Sequence, residues 1–180
     1  MSILSPANSR IREYLQLTRP RIVLMVLFSL AVAAWCCADT PPTLLALWHA
    51  IAGTALITGG SVALNQWYEQ RSDALMARTQ NRPIPTGRIS SRHGLAFGVG
   101  LSLAGLFYLL AFSNWQVAIV ATLIWIFSVA CYTPLKAYSV WQLPVGALAG
   151  AIPMVIGAAV TGATWSPLAW ILFAIVFFWQ

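Results

Sequence analysis

The chain has 180 residues, 59% of them apolar and only 8% charged, with a mean hydropathy of +0.77 and a formal net charge of +6. So apolar a composition excludes an ordinary soluble domain, and the length is that of a single domain spanning residues 1–180. Several stretches reach the roughly 20 mostly apolar residues that a helix needs to cross a membrane. The alternating pattern of a membrane β-barrel is missing, so the expected fold is all-α, a polytopic transmembrane bundle.

The first sixteen residues are mostly polar, and no small-residue cleavage site follows a short apolar run. They read as a tail preceding the first span and not as a removed leader. Helix one is expected over 21–38, where Pro20 suits a first turn and Asp39 with Pro41-Pro42 ends the run. Helix two begins near Leu44, stays apolar through Leu64 and continues into a polar patch, stopping before Pro83, Pro85 and Gly87. Helix three covers 94–112 and helix four 115–132, closed by Pro134. Helix five covers 143–160, with Pro153 a kink site. A sixth starts at Pro167. Its fourteen residues to Gln180 rise about 21 Å against the ~30 Å hydrocarbon layer. The expectation is five complete helices and a truncated sixth, with a second half of the protein missing.

All ten basic residues fall in three segments: before helix one (Arg10, Arg12, Arg19, Arg21), between two and three (Arg71, Arg78, Arg82, Arg88, Arg92), and between four and five (Lys136). The excess of basic residues in alternate loops predicts a cytoplasmic N-terminus. The positive charge is therefore an orientation signal and makes no case for nucleic acid. Trp35, Trp48, Trp115, Trp141 and Trp165 fall near the interfaces, as belt residues do. Cys36, Cys37 and Cys131 have no metal spacing and read as packing residues. So do Gly53, Gly59, Gly60, Gly98 and Gly105.

The patch NQWYEQRSDALMARTQNRPIPTG, from Asn65 to Gly87, concentrates the scarce polar residues. Asn65, Glu69 and Asp73 recur every fourth residue, which on one helix confines them to roughly 80° of its surface. Their oxygens suit a hard cation, above all Mg2+, which shares its coordination with water and phosphate. Arg78 and Arg82 follow at the same spacing, and guanidinium forks match phosphate oxygens. Acids for a metal and arginines for phosphate, at the mouth of a helical bundle, point to a diphosphate site. Arg88 and Arg92 read as solvated loop charges. His49 and His93 lack partners at ligand spacing and read as interfacial residues. No nucleophile-and-base set, phosphate loop or zinc pattern is present.

The same patch resembles the first Asp-rich motif of the UbiA-type intramembrane prenyltransferases. The run DALMARTQNRPIPTGRI resembles the version found in the haem-farnesylating branch of that family. YLQLTRPRI (14–22), YTPLKAYSVWQLPVGALAGAIPMVIG (132–157) and FFW (177–179) resemble further segments of it, in the same order. Two positions depart from the wider pattern, where Asp is common and Gln66 and Glu69 stand here. The family's second Asp-rich motif would fall beyond Gln180. The resemblance implies transfer of a farnesyl group from farnesyl diphosphate to a vinyl group of haem B, giving haem O, with Mg2+ as cofactor. Asn65, Glu69 and Asp73 are the implied catalytic and metal-holding residues; Arg78, Arg82 and Lys136 are the implied diphosphate-binding residues. The setting would be a bacterial inner membrane, with the site on its cytoplasmic side and membrane lipid around it. Two alternatives remain open: prenyl transfer to an aromatic quinone precursor, and a transporter or structural membrane subunit whose acids line an ion path. The sequence identifies no terminal-oxidase assembly partner.

Overall fold

A computed structural model describes residues 6–136 and 138–180, and every regular element among them is helical. The chain opens with α1 (Pro6–Thr18), α2 (Pro20–Cys36) and α3 (Leu44–Tyr68), followed by the short α4 (Gln70–Leu75) and by α5 (Ser91–Phe112). Next, α6 (Trp115–Trp125) runs through a π-helical stretch (Ile126–Tyr132) into the single turn α7 (Thr133–Leu135), and α8 (Gln142–Val160) and α9 (Pro167–Trp179) complete the series. Four of these, α3, α5, the α6–α7 run and α8, are long and apolar enough to cross a membrane. The pair α1–α2, bent by 48°, makes a fifth if it is taken as one span, and α9 is apolar but shorter. The protein is an integral membrane helical bundle, as composition predicts.

Capping fixes where helices begin. Thr43, Ser90, Asn114 and Ser166 each accept the backbone N–H three residues on, ahead of α3, α5, α6 and α9. Such caps matter most beside hydrocarbon, where no water satisfies the first-turn N–H groups. Helices five and six fall within a residue of expectation. Three features differ. Residues 6–18 form a helix where a polar tail was expected. Helix two ends at Tyr68 instead of running through the patch. Pro134 lies inside the α6–α7 run, because the wider π turns ahead of it accommodate its ring and missing N–H.

The bundle is held by small residues at crossings and by large apolar ones between them. A Cβ on Gly60 would stand 2.7 Å from Ser102 N and 2.8 Å from Gly98 O. One on Gly105 would stand 2.7 Å from Ile57 N and 2.9 Å from Gly53 O. The backbones of α3 and α5 thus touch, which only glycine permits. Leu30, Ile57, Leu109, Ile124 and Ile156 fill the main core from α2, α3, α5, α6 and α8. A second cluster, Leu17, Ala63, Ile84 and Ile89, seats the end of α1 and the loop after α4 against α3. That seating positions the site.

Candidate functional site

Thr54, Thr58, Ser61 and Asn65 along α3, and Glu69 at its C-cap, follow one another at intervals of four, three, four and four residues. At 100° per residue they stay within roughly 80° of one face. The last four line a cavity of about 470 Å³. Ser128, Tyr132 and Lys136 line it from the opposite wall, on the π stretch and the turn after it. A π-helix has more residues per turn than an α-helix, so its residues four apart stay closer to one face. Two polar columns therefore face each other across a cavity whose remaining wall includes Ile22, Val26, Val62 and Ile124.

The columns are tied at their polar end. Lys136 Nζ donates to Glu69 Oε1 at 3.0 Å. Arg82 Nη1 pairs with Asp73 Oδ2 and lies 3.7 Å from Glu69 Oε2, so one guanidinium serves both acids. Asp73 is only 3% exposed. Thr133 Oγ1 lies 2.8 Å from the Asn65 amide oxygen and 2.7 Å from Ser128 O. A hydroxyl has one proton to donate. With that proton on Ser128 O, the Asn65 amide turned over donates its N–H to Thr133 and keeps its oxygen for another partner.

Arg19 completes the cluster. It sits between α1 and α2 in the left-handed region (φ 46°) and lines the cavity. Burial, then the charge of Arg82, pulls its pKa below the ordinary arginine value, while Glu69 and Asp73 act the other way. Gln66, 3% exposed, donates Nε2 to Leu17 O at 2.6 Å and so anchors the end of α1 to α3.

Five of the six sequence-predicted site residues come together here: Asn65, Glu69, Asp73, Arg82 and Lys136. The single column does not hold, since α3 ends at Tyr68, Glu69 is the joint, and Asp73 rides on α4. Arg78 is exposed, and no ion pair engages it among the described residues. Among the described residues no group of three or more His, Cys, Asp or Glu gathers as a metal cluster. The oxygen donors are one amide and two carboxylates. Such a set fits a hard cation that takes its other oxygens from phosphate and water. His49 bonds Tyr108 through Nδ1 (2.8 Å) and His93 bonds Ser90 (2.6 Å), both away from the cavity. Sequence reasoning counted Arg19 only as an orientation charge and Gln66 only as a departure. The TRP tripeptide, a basic residue held just before a helix start, was the available signal for Arg19.

The model of the UbiA prenyltransferase family matches residues 26–180. A protoheme IX farnesyltransferase of Solibacter usitatus is 40% identical over 178 residues, covering 94% of this chain and 61% of that protein. One of Opitutus terrae is 37% identical over 181 residues, covering 100% of this chain and 61% of that protein. The chain therefore spans about three-fifths of the length of these relatives. Among solved structures, a UbiA homologue from Archaeoglobus fulgidus bound to GPP and Mg2+ superposes with a TM-score of 0.79 at 22% identity, over 93% of this chain and 60% of that one. A digeranylgeranylglyceryl phosphate synthase structure superposes with 0.83 at 16% identity, over 94% and 59%. By the extent of the family match, this chain belongs to the UbiA prenyltransferase family.

Proposed function

We propose that the chain acts, as one prenyltransferase domain, in an enzyme that moves a farnesyl group from farnesyl diphosphate to a vinyl group of haem B, giving haem O. One observation carries the reading. Arg19, Glu69 and Lys136 line one end of a cavity, Arg82 and Asp73 are joined to them through Glu69, and Ile22, Val26, Val62, Ile124 and Leu143 give the cavity apolar wall as well. A diphosphate would sit among the cations while an allylic tail extends along Ile22, Val26 and Ile124. Arg19, Arg82 and Lys136 would stabilise the negative charge that builds on the leaving group as the allylic C–O bond ionises. The apolar walls would keep bulk water from the carbocation until the vinyl carbon attacks; a water then adds to complete haem O. Asn65, Glu69 and Asp73 are the residues that would hold Mg2+. When bound, the ion would supply further positive charge to the diphosphate. An arriving diphosphate would take Arg82 from the two carboxylates and leave their oxygens to the cation. Arg78, exposed on the same loop as Arg82, would offer the phosphate side a second guanidinium.

The choice of haem over an aromatic acceptor rests on the relatives' names. We propose further that the basic end faces the cytoplasm of a bacterial inner membrane. Purified full-length protein with farnesyl diphosphate, Mg2+ and haem B should yield haem O by mass spectrometry. Prenylation of 4-hydroxybenzoate with none of haem would move the assignment to the quinone branch.

A further inference from the structure

α1 presents three different faces. Leu17, fully buried, and Tyr14, its ring tilted against Phe97 at 5.0 Å, point into the bundle. Ile11 and Leu15, 60% and 54% exposed, lie roughly 100° further round, and exposed Arg12 and Gln16 roughly 100° beyond them. The helix is bent 48° from α2 at Arg19, whose left-handed backbone makes the turn. A helix inside a bundle needs one apolar face and one outside it needs none. A helix at the rim of a bundle, lying along a membrane surface, needs a bundle face, an acyl-chain face and a water face in this order.

Charge identifies the surface. Arg10 lines a crevice of about 280 Å³ together with Arg88, Ser90 and His93, and exposed Arg92 stands beside His93. The acid in the crevice, Glu13, lies 4.0 Å from Arg88. Among the described residues no ion pair engages Arg10, Arg12 or Arg92. Four arginines against one carboxylate thus lie on α1 or at the crevice beside it, and the same helix carries an exposed apolar strip. That pattern complements phospholipid phosphates above acyl chains, and a neutral or acidic partner surface leaves either the strip or the arginines unmatched.

We propose that α1 is an interfacial anchor, inclined into an anionic leaflet, with Ile11 and Leu15 among the acyl chains and Arg10, Arg12, Arg88 and Arg92 on the phosphates of anionic phospholipids. The proposal does not depend on the enzymatic reading. It is tested in the full-length protein, with Cys36, Cys37 and Cys131 changed to Ser, in nanodiscs with and without phosphatidylglycerol. Spin labels on Ile11→Cys and Leu15→Cys should be relaxed by oxygen, and those on Arg12→Cys and Gln16→Cys by a water-soluble nickel chelate. Nickel access at all four sites, or shielding of residues 11 and 15 from both agents by protein, overturns the interfacial placement. Spin-labelled phosphatidylglycerol should associate more than phosphatidylcholine, and the excess should fall by up to about fivefold for each arginine lost in R10Q and R12Q. It should also fade at high salt. Equal association of the two lipids, or no response to R10Q and R12Q, overturns the anionic preference.

Discussion

Arg82 holds two acids at once, and that makes it the most consequential side chain of the site. Arg82→Ala leaves Asp73 buried without its partner, and breaking such a pair costs about 3–5 kcal/mol. Denaturant titration in detergent should show a loss of that order, with part recovered in the double variant Arg82→Ala/Asp73→Asn; an unchanged midpoint in the single variant would mean that the pair adds nothing to folding. Thr54 is the converse case, since its hydroxyl is buried with no partner among the described residues. Thr54→Val removes that unsatisfied group at constant shape, so stability should hold or rise. A drop of more than about 1 kcal/mol would reveal a bonded hydroxyl. Asn65, Glu69 and Asp73 were singled out in the sequence by their four-residue spacing, but the common face that spacing implied breaks at Glu69, and the two acids meet through the α3–α4 joint and a shared Arg82. Arg19 and Gln66 were not legible, because their surroundings arise only when α1 folds back on α3.

At the scale of elements, uninterrupted apolar runs with a cap or proline ahead of them were readable: α5, α8 and α9 begin within three residues of expectation. α1 escaped notice because its apolar residues divide between two faces and no run results. The π stretch was equally hidden, as hydropathy carries no record of hydrogen-bond register. Its effect on the site is direct, since it sets Lys136 opposite Glu69. Inserting one alanine after Leu135 would turn the residues that follow by about 100° and withdraw Lys136 from Glu69. Binding of farnesyl diphosphate to the inserted full-length variant should then weaken about tenfold or more, close to one lost ionic contact. Undiminished binding would show that register does not matter. The contact of α3 with α5 has no such slack. Gly60→Val should lower stability by about 1–3 kcal/mol, as overpacking does, in a thermal shift assay.

For the whole molecule, the Lys136–Glu69 and Arg88–Glu13 contacts draw the three basic segments to one end of the bundle. Composition foretold that segregation, because orientation signals are written in loops. The cavity was beyond it, since its walls come from helices distant in sequence. Cysteines introduced at Ser9 and Ser113 should be labelled from opposite sides of the membrane, Ser9 only after the cytoplasmic face is opened; external labelling at Ser9 reverses the orientation. The account rests most heavily on the acids at the mouth of the cavity. The direct measurement is haem O formation by full-length Asp73→Ala, compared with unaltered protein at equal membrane insertion and equal folded content. Loss of transfer, with insertion intact, is the predicted result. Farnesyl transfer at the unaltered rate by a folded Asp73→Ala protein would contradict it.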